Sequence, residues 1–277
     1  MIDLTDKRRL LDTVAGIARD AGRAILEVYG TDFAVTLKDD HSPLTEADKR
    51  AHTIIDTGLR ALDPAVPVLS EEAAPEQSTE RRSWPRFWLV DPLDGTKEFL
   101  KRNGEFTVNI ALVIGHRAEL GVVLAPAQGR LYFGALGLGA WRQEGEETPE
   151  PIYVERTTQT PPRVVGSRSH ETGALADYLA ALGPHTVTPM GSSLKICLIA
   201  EGAADLYPRL GPTSEWDTAA AQAILESAGG RMIDSTGQPL RYNSKDNLLN
   251  PDFLAFGDQR RDWLAPIRSS RGRQDRN

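Results

Sequence analysis

Two aspartates stand three residues apart in Val90-Asp91-Pro92-Leu93-Asp94-Gly95-Thr96, directly after the apolar run Phe87-Trp88-Leu89-Val90. Further acids recur at the ends of segments: Asp48, Glu71, Glu72 and Asp217. Carboxylates brought together raise one another's pKa and repel unless a cation joins them. Hard divalent ions such as Mg²⁺ take oxygen ligands and keep positions open for water and phosphate. Two such ions can clamp an in-line phosphoryl displacement. Gly95 would let backbone N–H groups come close to a phosphate, and Thr96 offers a hydroxyl that could orient a water.

Each of these segments also has a plainer meaning. Asp-Pro-Leu-Asp-Gly is rich in turn formers. Thr45-Glu46-Ala47-Asp48 and Ser214-Glu215-Trp216-Asp217 have capping-box spacing, so Asp48 and Asp217 could serve helix starts. Glu71-Glu72 fits a solvated loop pair. The two meanings are compatible, because a helix start is also an anion site.

The surrounding elements must position these groups. Leu10, Leu11, Val14, Ile17, Ala18, Ala21, Ile25 and Val28 recur at helical spacing, and a second helix follows in TEADKRAHTIIDTGLRAL. VPVLSEE is a short strand ending in acids, and residues 75–86 form a polar loop. RFWLVDP, FTVNIALVIG, ELGVVLAPA and RLYFGALGLGAW predict an antiparallel meander, closed by a polar, mobile loop tip at 142–151. Strand and helix then alternate down to a final strand in RMIDSTG, which predicts an α/β lobe. The expected division is an N-terminal lobe over 1–150, a C-terminal lobe over 151–265 and a disordered tail over 266–277.

Length and composition bound the possibilities. The 277 residues suit one compact body or two lobes sharing an interface. The net charge of −7 argues against a nucleic-acid surface. Nothing approaches the ~20 apolar residues of a membrane span, and no targeting peptide is visible in the N-terminal stretch. A lone Cys197 in apolar LKICLIA excludes an intrachain disulfide and fits a buried helix residue in a reducing, cytoplasmic setting. His41, His52, His116 and His185 are expected to be structural or solvent-facing.

Together, SPLTEAD, LSEE, WLVDPLDGT and WDTAAA resemble, in order and spacing, the metal-dependent, lithium-sensitive phosphatase family that includes inositol monophosphatase. Within it, DPLDGTKEF, KRNGEFTVNIALV, SRSH, GSSLK and LYPRLGPTSEWDTAAA are similar to the 3′(2′),5′-bisphosphate nucleotidases linked to sulfate assimilation. Inositol monophosphatases usually carry Asn where Glu98 stands and lack Lys97.

The resemblance implies a layered α/β (α+β) sandwich and removal of the 3′-phosphate from adenosine 3′,5′-bisphosphate. It implies two Mg²⁺, or three: Glu71, Asp91 and the Leu93 carbonyl for the first, Asp91, Asp94 and Asp217 for the second, and Glu72 for waters of a weaker third. Asp48 and Thr96 match the pair that activates the attacking water, with Glu71 beside them. Glu71, Leu93, Asp94, Gly95, Thr96, Ser167, His170, Ser192, Ser193, Lys195, Arg209 and Asp217 would face the substrate. Bottom-up, a diphosphorylated nucleotide needs cations besides the metals, and Lys195 and Arg209 are candidates. The expected partner is therefore a small nucleotide bisphosphate, and the expected state a monomer or homodimer. An inositol or broad sugar-phosphate phosphatase and a non-catalytic metal- or anion-binding protein stand as alternatives.

Overall fold

The computed structural model describes residues 4–32, 35–37, 43–73, 79–167 and 173–274. The chain opens with α1 (Leu4–Tyr29), a small hairpin of β1 (Val35–Leu37) and β2 (Pro43–Thr45), and α2 (Glu46–Leu62). Strands β3 (Val68–Ser70) and β4 (Arg86–Asp94) follow, then the short α3 (Thr96–Leu100). Five strands complete the first sheet: β5 (Thr107–Ile114), β6 (Arg117–Ala125), β7 (Arg130–Ala135), β8 (Gly139–Glu144) and β9 (Glu150–Pro151). The second half runs β10 (Arg163–Gly166), α4 (Gly173–Leu182), β11 (Thr186–Pro189), α5 (Leu194–Ala200), β12 (Leu206–Arg209), α6 (Ala219–Ser227), β13 (Arg231–Asp234), β14 (Phe253–Phe256) and α7 (Ala265–Gln274).

The seven-stranded sheet has the order β3-β4-β5-β6-β7-β8-β9, antiparallel apart from the parallel β3–β4 pair. The five-stranded sheet is mixed, in the order β11-β10-β12-β14-β13. Strand alternation explains the layering, since successive side chains point to opposite faces. Trp88 and Val90 of β4 pack with Leu11, Val14, Ile25 and Ile55 of α1 and α2. Their neighbours Phe87 and Leu89 turn the other way, toward Ile196, Ile224 and Phe253. A third cluster, with Tyr178, Leu254, Trp263 and Ile267, seats α4 and α7 on the far face of the second sheet. The result is an α/β/α/β/α sandwich, as expected. One buried cluster draws on both halves, from Leu69 to Ala255, so the sheets share a core through α5 and α6.

The alanine-rich α6 is thin enough to lie between the two sheets. A Cβ at Gly121 of β6 would sit 2.0 Å from the Ala220 carbonyl oxygen, so only glycine permits this approach.

Four local expectations are corrected. Residues 142–151 are not a loose tip, because Trp141 and Arg142 of β8 pair with β9. RMIDSTG is not the final strand: β14 follows and pairs with both β12 and β13. The single helix expected from Ser214 divides into a 3₁₀ turn over Glu215–Asp217 and then α6. Residues 266–274, assigned to a disordered tail, are helical, and Ile267 is buried in the outer cluster. Among the described residues, no helix is long and apolar enough to cross a membrane.

Candidate active site

The end of β4 is built to aim carboxylates at the second sheet. Asp91 lies on the same face as Phe87 and Leu89, opposite Asn109 in register, and is buried. A register shift between Asp91 and Asp94 breaks the alternation, so both acids reach one place. The Leu93 N–H donates to Asp91 Oδ1 at 3.0 Å and holds that rotamer. Glu71 follows β3, and its N–H bonds the Val90 carbonyl at 3.1 Å, which fixes the chain beside Asp91. Asp217 comes from the opposite half, its Oδ2 accepting from Ser214 N–H at 3.0 Å in a capping box. Ligand oxygens of Asp91, Asp94 and Asp217 all lie within 4.8 Å of one another.

Electrostatics make this cluster costly as it stands. Burial, then the charges of Glu71, Asp94 and Asp217, push Asp91 well above the usual carboxylate range. Burial and the Asp94 and Glu71 charges do the same to Asp217. Asp94 is raised to about 6 by burial, with Lys195 pulling the other way. Three converging oxygen donors whose charges lack enough protein cations fit a hard divalent ion.

These acids line a cleft of about 350 Å³. Gly95 and Thr96 form its lip at the start of α3. Gly95 has φ 87°, and a Cβ there would stand 3.2 Å from the Glu105 carbonyl, so the turn needs glycine twice over. Thr96 Oγ1 lies 3.5 Å from the Leu93 carbonyl, too long for a strong bond, which leaves the hydroxyl available to another partner.

The facing wall is residues 191–195 and Arg209. Ser193 N–H donates to Asp94 Oδ2 at 2.7 Å, and Ser193 Oγ donates to Asn109 Oδ1 at 2.7 Å with Thr107 Oγ1 at 2.9 Å. The Gly191 N–H donates to Glu105 Oε2 at 2.7 Å. Lys195 donates to the carbonyls of Ser192 at 2.6 Å and Met190 at 3.3 Å, with its ammonium over the Tyr207 ring. Burial lowers its pKa to about 8 even though Asp94 favours the charge. Arg209 Nε and Thr213 Oγ1 are buried at this cleft without a partner among the described residues.

The structure therefore brings Glu71, Asp91, Leu93, Asp94, Gly95, Thr96, Ser167, Ser192, Ser193, Lys195, Arg209 and Asp217 around one cleft. Asp48 is not among the lining residues. Its Oδ2 accepts from Thr45 N–H at 2.8 Å and Thr45 Oγ1 at 2.6 Å, so the capping-box reading holds for it. Glu72 is half-buried and also outside the lining. His170 and His41 lie outside the described residues. His52 bonds Ser70 Oγ, His116 the Tyr242 carbonyl and His185 the Gly183 carbonyl, all structural contacts. Cys197 is buried in α5.

Glu105, Thr107 and Asn109 were not anticipated as site residues. Their signal was present in the sequence: three polar residues at every second position, interleaved with Phe106, Val108 and Ile110. The apolar set faces α1 and α2, so the polar set must face the second half.

The inositol monophosphatase family model matches residues 6–268. The chain is 52% identical over 246 residues to the 3′(2′),5′-bisphosphate nucleotidase CysQ of Escherichia coli strain K12, covering 88% of this chain and 98% of that protein. It is 37% identical to the Haemophilus influenzae protein of the same name, over 95% of this chain and 98% of the other. The crystal structure of CysQ from Bacteroides thetaiotaomicron superposes with a TM-score of 0.80 at 39% identity, over 93% of this chain and 100% of that one.

Proposed function

Since the chain belongs to the inositol monophosphatase family, we propose that it is a Mg²⁺-dependent 3′(2′),5′-bisphosphate nucleotidase that converts adenosine 3′,5′-bisphosphate to AMP and phosphate. One observation of the structure carries this reading. A single cleft has an acid cluster on one wall and two basic side chains, Lys195 and Arg209, on the other. A substrate with two phosphates suits both walls. Inositol monophosphate offers nothing for the second.

Glu71, Asp91 and the Leu93 carbonyl would hold one Mg²⁺, and Asp91, Asp94 and Asp217 another; Glu72, outside the lining, would serve a weaker third by resemblance alone. Bound there, Mg²⁺ supplies Lewis acidity toward the phosphate and lowers the pKa of water. The remaining work falls to the chain. Gly95 and Thr96 present backbone N–H groups to the 3′-phosphate at the lip. The Thr96 hydroxyl would orient the attacking water; Asp48, outside the cleft lining and held by Thr45, is its partner by resemblance alone. Arg209 Nε and Thr213 Oγ1, buried without partners, are donors for the second phosphate. Ser167, Ser192, Ser193 and Lys195 orient the nucleoside, and His170 shares that role by resemblance.

The test is phosphate release from adenosine 3′,5′-bisphosphate with Mg²⁺, without it, and with added Li⁺, alongside myo-inositol 1-phosphate. Fast Mg²⁺-dependent, Li⁺-blocked release from the bisphosphate is expected. Faster release from the inositol ester would discard the nucleotide assignment of Lys195 and Arg209 and favour the sugar-phosphate reading.

A further inference from the structure

A second cavity, of about 750 Å³, opens at the other end of α6 from the cleft. Thr218, just before the N-terminus of α6, lines the cleft, whereas Glu226 near its C-terminus lines the second cavity. The walls come from the β5–β6 turn, the start of β13 and the segment around Leu240. Three exposed arginines line the cavity: Arg117, Arg231 and Arg241. The one acid in the lining is Glu226, whose Oε2 lies 3.3 Å from Arg117 Nη2. Among the described residues, Arg231 and Arg241 have no carboxylate within ion-pair distance. Buried Met232 and Leu240 give the cavity an apolar floor.

This charge balance is unusual for the molecule. The chain carries −7 overall, and its cleft is acidic. The distal cavity holds three positive side chains against one negative. The partial negative charge at the end of a helix, about half a unit, reduces that excess without cancelling it. Guanidinium groups lining a concave, part-apolar surface suit a tetrahedral oxyanion, which such groups bind by paired N–H donors.

A polar chain leads from this cavity into the core. Gln222, fully buried among the alanines of α6, donates from Nε2 to Glu226 Oε1 at 2.8 Å. Its Oε1 accepts from the Tyr242 hydroxyl. That hydroxyl lies 3.4 Å from Thr218 Oγ1, beside Asp217. The Tyr242 backbone is fixed to His116, in the cavity wall, through N–H to carbonyl at 3.0 Å and carbonyl to Nδ1 at 2.8 Å. Arg117, Glu226, Gln222, Tyr242 and Thr218 thus form a continuous series from one cavity to the other. An anion that draws Arg117 away from Glu226 would alter the first link.

The geometry points to a second, distal site for a small sulfate or phosphate anion, free or as a monoester, whose occupancy is felt in the cleft through this series. It is separate from the metal cluster and does not depend on which phosphate ester the cleft hydrolyses. The test is equilibrium dialysis of the full chain in Mg²⁺ buffer with radiolabelled inorganic sulfate, for wild type and for the double variant Arg231→Ser/Arg241→Ser. The variant is expected to lose about one saturable equivalent per chain, while kcat and KM in sulfate-free buffer stay as they are. Equal saturable binding by both proteins overturns the site, and no turnover enters that measurement, so it is independent of the nucleotidase reading. Competition with unlabelled phosphate and with AMP tells the free anion from the ester by which displaces sulfate at lower concentration.

Coupling is read as a shift in KM of about fivefold or more on saturating sulfate, the size ordinary for linked sites. It should vanish in Gln222→Met and in Glu226→Ala, the second serving if the buried change unfolds the protein. A shift that persists in Arg231→Ser/Arg241→Ser is competition at the cleft and overturns the coupling.

Discussion

The two walls of the cleft solve opposite problems. On the β4 wall, ligand oxygens of Asp91, Asp94 and Asp217 lie within 4.8 Å of one another, and burial with the charges of neighbouring carboxylates raises all three pKa values. On the facing wall, charge is mostly answered inside the protein: Lys195 has two carbonyls and a tyrosine ring, and Ser193 has three partners. Among the described residues, only the buried side-chain atoms Arg209 Nε and Thr213 Oγ1 are left without partners there. An uncompensated wall must take up either protons or a cation. A compensated wall permits a ligand without demanding one. Metal binding is therefore one answer to the charge, whereas nucleotide recognition leans on resemblance and on two unpartnered donors.

The largest effect should come from the uncompensated wall. Asp91→Asn keeps the volume and the acceptor for Leu93 N–H but cannot carry charge. We expect kcat to fall by roughly 10²–10³-fold or more, the usual cost of losing one preorganised electrostatic group. In metal-free buffer the same variant should melt no lower than wild type, because it relieves repulsion with Glu71, Asp94 and Asp217. Steady-state kinetics and thermal melts in EDTA check both. Near-normal turnover would erase the contrast between the walls.

A smaller and more selective effect is expected opposite. Lys195→Ala removes a buried ammonium whose hydrogen bonds are to carbonyls and whose charge faces Asp94. A charged hydrogen bond contributes about 1.5–3 kcal/mol, so KM for the bisphosphate should rise roughly 10–100-fold with a lesser change in kcat. On a simple phosphomonoester the rise should be much smaller. Equal losses on both substrates would show that Lys195 acts through Asp94, which would merge the two walls into one functional unit.

Much of this was legible in the sequence because strand ends and helix starts are marked by local residue types. The Asp-Pro-Leu-Asp-Gly-Thr turn placed Asp91, Asp94, Gly95 and Thr96 in one spot, and the helical and strand periods gave most of the elements, while their layering came from the family resemblance. Asp48 is the instructive case. Capping-box spacing described its hydrogen bonds well, but spacing cannot tell whether a capping carboxylate also lines a cavity. The roles of Glu105, Thr107 and Asn109 were hidden because they depend on which loop meets them across the cleft. Strand β14 escaped notice because Phe253–Phe256 is four residues long between loop-like flanks, and its strand character comes from pairing on both sides. Helix α7 likewise has a polar sequence, and Ile267, buried beside Trp263, ties its first turn down.

The hinge between the walls can be tested by Ser193→Ala. The change leaves the backbone N–H on Asp94 but deprives buried Asn109 Oδ1 of its donor. An unsatisfied buried acceptor costs about 1–3 kcal/mol, so the melting temperature should drop by several degrees. Because Asp94 keeps its contact, kcat should fall less than about tenfold, well short of Asp91→Asn. A loss of activity as large as that of Asp91→Asn, without a fall in melting temperature, would place the serine hydroxyl in the chemistry instead.

The smallest effect lies far from the cleft, at a carboxylate that is paired rather than crowded. Asp258 accepts from the Arg260 side chain and N–H and from Thr158 N–H at 3.0 Å, and these contacts hold it well below the usual range. The sign is opposite to that of the cluster. A depressed folded-state pKa means that the charged form stabilises the fold, fully above the ordinary carboxylate pKa and less as pH falls through the folded value. Asp258→Asn should therefore lower stability at neutral pH by about 1–2 kcal/mol while leaving kcat unchanged. The gap from wild type should narrow as the pH is taken below about 4. Denaturant titrations at neutral and acidic pH measure it, and a gap that widens in acid would mean that Asp258 is not the paired carboxylate described here.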